Sequence, residues 1–211
     1  MAKKKITIID YGAGNIRSIE RAIDKIGYST IITNDNKEIK KADSLILPGV
    51  GAFNKAMEKL CELDLIDVIN SYCKSGKPFL GICLGMQLLC SKSFEFGDTN
   101  GLDIIPGTVK NISSIKEFNV NTKIPIIGWY EVENAKKSLT SINIDNKSFY
   151  HIHSFYCDLD EKKDELFISN INGLNICTGI NKKNIYGFQF HPEKSRIQGI
   201  ELLNQFCDIN Y

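Results

Sequence analysis

Residues 78–82, Pro-Phe-Leu-Gly-Ile, form an unbroken apolar run that leads directly into Cys83, which lies between Gly81 and Gly85. A strand without polar alternation has to be covered on both faces, the condition of a strand in a parallel sheet flanked by helices. The preceding segments agree with this. Short β-rich runs at Lys5–Asp10, Tyr28–Thr33 and Ser44–Leu47 alternate with helical patterns, first at Ile16–Ile26 and then at Asn54–Ser75. The second pattern places Met57, Leu60, Cys61, Leu65, Val68, Ile69 and Tyr72 near a 3.6-residue period, and Gly76 and Pro78 close it, so it predicts one amphipathic helix or a pair. Strands alternating with helices predict parallel strands joined by crossovers.

Beyond Gly97 the texture changes. Asn100-Gly101, Pro106-Gly107 and Asn172-Gly173 punctuate shorter runs, which predicts a smaller antiparallel or mixed section. One more buried strand is expected over Ile185–His191. A terminal helix is expected over Ser195–Ile209, with Ile197, Ile200, Leu203 and Phe206 on its inner face, and Leu84–Cys90 reads as helix too. Residues 1–211 thus read as a single α/β domain with an open, mostly parallel sheet and helices on both faces.

Bulk properties exclude several classes. With 26 basic and 25 acidic residues, net charge +1, no single-sign field gathers nucleic acid or an anionic membrane. A small neutral or zwitterionic substrate fits better. The Met1–Lys5 opening precedes an apolar run too short for a signal peptide, and no stretch approaches the roughly 20 apolar residues that span a bilayer. Seven scattered cysteines without Cys-x-x-Cys spacing suggest neither a disulfide framework nor a zinc site, and they point to a reducing cytosol.

In open α/β sheets, ligands sit beyond the carboxyl ends of the strands. Four such ends carry unusual chemistry. Gly81-Ile82-Cys83-Leu84-Gly85 has the Gly-x-nucleophile-x-Gly form of a strained strand-to-helix turn, and a helix start there favours a thiolate. In Gln189-Phe190-His191-Pro192-Glu193, His191 and Glu193 are two residues apart and project to one side of an extended segment, so a carboxylate can orient a general base. Pro48-Gly49-Val50-Gly51-Ala52-Phe53 follows an apolar strand and can turn backbone N–H groups toward a reacting carbonyl. Asp10–Asn15 imitates the start of a dinucleotide fingerprint, with Asp35 about 20 residues on, but Arg17 stands where close packing needs a third glycine. His151 and His153 alternate on one strand face without a plausible third metal ligand. The residues alone leave open a buried structural cysteine, or a reactive thiol in a non-catalytic flavodoxin-like module.

Taken together, these segments resemble the class I (triad-type) glutamine amidotransferases, and within them the glutaminase subunits of imidazole glycerol phosphate synthase. The resemblance runs through Asp10–Asn15, Pro48–Phe53, Gly81–Gln87, Gly128-Trp129, His153-Ser154 and Gln189–Ser195. It implies Cys83, His191 and Glu193 as the catalytic triad. It implies an oxyanion hole from Val50, Gly51 and Leu84, and a glutamine pocket lined by Gln87, Glu95, His153 and Ser154. It further implies no cofactor or metal, and a heterodimer with a (β/α)8-barrel, HisF-like cyclase facing Asn15, Trp129 and Lys194. One departure stands out: Ile126-Ile127-Gly128-Trp129-Tyr130 replaces the common His-Met-Gly-Trp-Asn. That leaves room for a paralogous subunit feeding ammonia to amidino-sugar formation.

Overall fold

The computed structural model describes residues 4–119, 122–135, 142–144 and 146–210; of the Met1–Lys5 opening, the first three residues lie outside them. The chain begins β1 (Lys5–Ile9), α1 (Ile16–Lys25), β2 (Ser29–Thr33), α2 (Asn36–Lys41), β3 (Ser44–Leu47), α3 (Phe53–Glu62), α4 (Ile66–Lys74), β4 (Phe79–Ile82) and α5 (Leu84–Gln87). It continues with β5 (Cys90–Ser93), β6 (Thr99–Asn100), β7 (Ile105–Asn111), β8 (Ile126–Asn134), β9 (Lys147–His153) and β10 (Phe155–Leu159). β11 (Glu165–Ile171), β12 (Leu174–Lys182), β13 (Ile185–Phe188) and α6 (Arg196–Cys207) complete it.

The large open sheet runs β2-β1-β3-β4-β13-β12-β11-β8-β9. Its first five strands are mutually parallel, and the remaining pairings are antiparallel. β10-β7-β5-β6 form a second, smaller sheet of mixed direction. The expected α/β class and the mixed second section are both present. Of the two forms expected over Asn54–Ser75, one helix or a pair, the chain takes the pair, α3 followed by α4, broken at Leu63–Leu65, where Asp64 adopts φ 54°.

Burial explains the unbroken strand runs. Leu45, Leu47 and Phe79 point into a core shared with α3 and α4, while Ile46, Leu80 and Ile82 point into the opposite core with α1 and α6. Alternate side chains of β3 and β4 therefore enter different cores, and every residue of both strands is buried. A polar residue at any of these positions would lack a partner.

Three elements differ from expectation. Helix α5 is a single turn ending at Gln87, because Leu88–Cys90 turn into β5. Strand β13 stops at Phe188, so His191 sits beyond it, just before the 3-10 turn Pro192–Lys194. Ile197 is 60% exposed. The terminal helix starts at Arg196, which has φ 52°; Leu203 and Phe206 point inward as expected and Ile200 packs half-buried against the core, while Gly199, Leu202 and Cys207 take the rest of the inner face.

Candidate active site

The ends of β3, β4 and β9 and the segment after β13 meet around one cavity of about 300 Å³. Val50, Gly51, Cys83, Leu84, Gln87, Glu95, His153, Ser154, His191 and Lys194 all line it, together with Ile152 and Phe155. Every residue expected in the triad, oxyanion hole and glutamine pocket is there except Glu193, which lies behind His191. A larger cavity of about 630 Å³ opens beside Asn70, Asp103 and Lys182, away from these residues.

Cys83 sits at φ 55°, ψ −110°, a left-handed conformation that costs a side-chain-bearing residue of order 1–3 kcal/mol. Neighbouring glycines make it possible. A Cβ on Gly85 would lie 1.9 Å from the Leu47 carbonyl oxygen, and one on Gly81 would lie 2.5 Å from that of Gly85, so only bare backbone fits. The turn is clamped further by Cys83 N–H donating to the Phe188 carbonyl at 2.7 Å. Leu84 is the first residue of α5 and lines the cavity, and its N–H has no intrahelical acceptor. With only four residues in α5, the dipole expected at a helix start is small.

His191 Nδ1 lies 2.8 Å from Glu193 Oε1, both side chains being almost wholly buried. The segment is not extended as expected, since Glu193 belongs to the 3-10 turn, but the turn brings the carboxylate to the same ring nitrogen. Burial on its own lowers the imidazolium pKa. Cys83 and then Glu193 outweigh it and raise the value to about 10. Nε2 has no hydrogen-bond partner of ordinary geometry, yet the Cys83 sulfur is near enough to act on the ring. The imidazolium form of the ring is therefore the favoured one. Ser195 Oγ, donating to the His191 carbonyl at 2.6 Å, and the Tyr150 carbonyl, accepting from His191 N–H at 2.9 Å, fix the backbone that carries the ring.

The rest of the cavity carries polar side chains whose positions are fixed by hydrogen bonds. Glu95 Oε2 accepts from Phe53 N–H at 2.7 Å, so its carboxylate is anchored at the start of α3. A fixed carboxylate in a cavity is a counterion for an ammonium group. His153 Nδ1 donates to the Phe155 carbonyl at 2.9 Å, leaving Nε2 to accept from His151 Nδ1 at 3.3 Å. Burial, partly countered by the Phe155 carbonyl, and the charge on His191 lower His153 to about 4; burial, His153 and His191 push His151 well down. Two neutral rings in one hydrogen-bonded chain account for the alternating histidines. Asp35 caps α2 through Lys37 and Glu38 N–H at 2.7 and 3.1 Å, a helix-starting role that explains its spacing without a nucleotide.

Outside the cavity, Trp129 is 41% exposed on β8, edge-on to Tyr150, with the Arg196 guanidinium 4.9 Å above its ring. Asn15 caps the start of α1 through its backbone, with no side-chain cap bond. Lys194 both lines the cavity and reaches over the Tyr150 ring. Gln189, Ile152 and Phe155 do not stand out from sequence. For Gln189 a signal is present, since it precedes His191 by the same two-residue step that links His191 to Glu193.

The description "Glutamine amidotransferase class-I" belongs to a family whose sequence model matches residues 7–209. The chain belongs to that family. As such, it is an α/β glutamine amidotransferase. It is 44% identical over 203 residues to the imidazole glycerol phosphate synthase subunit HisH of Bacillus cereus strain ATCC 14579, covering 95% of this chain and 93% of that one. The subunit of the same name from Bacillus anthracis strain A0248 matches at 44% over 202 residues with the same coverage. Among solved structures, PurLQS from Thermotoga maritima superposes with a TM-score of 0.71 at 17% identity, covering 97% of each chain. A glutamine amidotransferase from the same organism gives 0.60 at 19% identity, covering 92% of this chain and 77% of that one. At such identities these structures speak for the amidotransferase fold alone.

Proposed function

We propose that this chain is the glutaminase subunit of an imidazole glycerol phosphate synthase, one amidotransferase domain over residues 1–211. It hydrolyses glutamine and hands the ammonia to a (β/α)8-barrel, HisF-like cyclase making imidazole glycerol phosphate and AICAR in histidine biosynthesis. The observation that carries the chemistry is the buried Cys83, His191 and Glu193 constellation at the wall of a cavity that also holds Gln87 and Glu95. The 44% identity to HisH subunits supports the pathway.

In this reading Cys83 Sγ attacks the glutamine side-chain carbonyl carbon, and the developing oxyanion is held by the N–H groups of Leu84 and the Val50-Gly51 segment. His191 gives its proton to the departing nitrogen, and ammonia leaves. Water, deprotonated by the now neutral His191, attacks the thioester; the C–S bond breaks, sulfur takes the electron pair, and glutamate is released. Glu193 holds the ring through Nδ1 throughout. Gln87, Glu95, His153 and Ser154 bind the amino-acid end of the substrate.

The cyclase docks beside the cavity, where the exposed Val50 and Ile152 line it and the exposed apolar surface continues through Ile127 and Trp129 on β8. Tyr130 is not among them. Its ring lies edge-on to the buried His151, 5.7 Å away, on the opposite face of β8 from Trp129. The Asn-to-Tyr departure is thus an internal packing change, which removes the observation favouring an amidino-sugar partner. A cytoplasmic setting fits seven cysteines that are all unpaired and a chain in which, among the described residues, no helix is long and apolar enough to cross a membrane.

The test is a coupled assay with a histidine-pathway cyclase. The chain should support glutamine-dependent formation of imidazole glycerol phosphate, and Cys83→Ala should abolish it while added ammonium still serves the cyclase. Glutamine turnover by Cys83→Ala, or no product with the wild-type pair, overturns the reading.

A further inference from the structure

Two buried amides, Gln87 in the cavity wall and Gln189 behind it, form a chain that ends on the Cys83 sulfur. Gln189 is fully buried, and its backbone N–H donates to the Thr178 carbonyl at 3.0 Å, so the neighbouring strand β12 sets its position. Its side-chain Nε2 lies 3.8 Å from Cys83 Sγ. Its Oε1 accepts from Gln87 Nε2 at 3.0 Å, and the same Gln87 Nε2 also donates to the Phe155 carbonyl at 3.3 Å.

The direction of this chain is forced. A backbone carbonyl only accepts, so Phe155 draws the NH2 end of Gln87 toward it. Gln87 then has only N–H to offer Gln189, which must answer with its carbonyl oxygen. The NH2 of Gln189 is left facing the sulfur. Were either amide reversed, two oxygens or two NH2 groups would face each other in a buried site.

We propose that Gln189 is a further catalytic residue, a locked N–H donor to the Cys83 thiolate, with Gln87 as the residue that keeps its donor end on the sulfur. This rests on Cys83 being the nucleophile. Hydrogen bonding to a charged form favours that form, so the donor increases the thiolate present before attack. It acts again in hydrolysis, when the C–S bond breaks and the electron pair returns to sulfur. His191 is protonated and deprotonated within the cycle, whereas the Gln189 amide carries the same hydrogens throughout. It therefore supports the thiolate alongside the imidazolium, both before attack and when the C–S bond breaks.

The experiment follows alkylation of Cys83 by iodoacetamide in the full chain as a function of pH, read at the Cys83 peptide by mass spectrometry. Gln189→Met keeps the length and loses the donor. Its alkylation midpoint should move up by about one pH unit, a roughly tenfold loss of thiolate below the midpoint. Gln87→Met should move it in the same direction by less, because the Gln189 amide is then free to turn, and the double variant should match Gln189→Met alone. A residue that merely fills space would change the unfolding midpoint and leave the pH midpoint in place. An unmoved or lowered midpoint in folded Gln189→Met overturns the proposal; should that variant not fold, an unmoved midpoint in Gln87→Met does so. Glutamine protection of wild-type Cys83 is scored separately. Its absence counts against Cys83 as nucleophile, whereas protection with unmoved variant midpoints counts against Gln189 alone.

Discussion

Glu193 Oε1 holds His191 Nδ1 at 2.8 Å inside the protein, while Oε2 of the same carboxylate has no hydrogen-bond partner among the described residues. A buried carboxylate with one oxygen unsatisfied is costly on its own, and a positive ring beside it offsets that cost. Charge and position are therefore linked, and the pair works as a unit.

Glu193→Gln separates the two. It keeps the shape but removes the charge and can reverse the tautomer that Nδ1 must hold. Glutamine hydrolysis in the presence of the cyclase should fall by about 10²–10⁴-fold. The His191 titration, followed by NMR, should move down from about 10, since Glu193 is one of the two groups that raise it. Near wild-type turnover would show that the carboxylate does not orient the base.

Much of this site was legible because its logic is local. Gly81 and Gly85 bracket Cys83 in sequence as they do in space, and His191 and Glu193 are two residues apart. What escaped depends on contacts distant in the chain. Leu84–Cys90 reads as helix because a short apolar run carries no period, and only pairing of β5 with β7 ends α5 at Gln87. A helical pattern phased from Ser195 puts Ile197 inside, whereas Arg196 in a left-handed conformation resets the start of α6. The chain from Phe155 through Gln87 to Gln189 joins residues from three segments, a relation that no spacing rule encodes.

Strain at Cys83 should be measurable. Cys83→Ala keeps a Cβ at φ 55°, whereas Cys83→Gly removes it. Although glycine costs extra chain entropy, relief of the strained conformation should leave Cys83→Gly more stable than Cys83→Ala by about 1 kcal/mol. Urea unfolding of the two variants checks this. Equal stability, or the reverse order, would mean that the elbow carries no strain.

Acid should destabilise the fold through the histidine chain. His153 titrates at about 4 in the folded protein against an ordinary 6.5, chiefly because of burial. Between those values the unfolded chain binds a proton that the folded chain refuses, so this contribution is complete above about pH 6.5 and is lost as pH falls toward 4. From pH 7 to pH 5 the loss from His153 amounts to about 2 kcal/mol, and His151 shifts in the same direction. Urea midpoints across this range should fall with acid, and His153→Gln should flatten the slope. An unchanged slope in that variant would exclude His153 as a source of acid sensitivity.

Trp129 offers the clearest handle on the partner. A tryptophan buried in the core would be a packing residue, but this one is 41% exposed, stacked under Arg196 and flanked by exposed Ile127 and Ile152, which pair across β8 and β9. Large aromatics with an arginine neighbour are the residues that dominate binding energy at interfaces, and truncating such an anchor costs about 2 kcal/mol or more. Trp129→Ala should therefore weaken the complex with the cyclase by about 30-fold in Kd, measured by titration calorimetry. Ammonia transfer at low protein concentration should decline with it and recover when the cyclase is raised above the new Kd, because the Cys83 cavity does not include Trp129. If affinity were unchanged, the cyclase would have to dock elsewhere, and the exposed apolar face of β8 and β9 would need another partner.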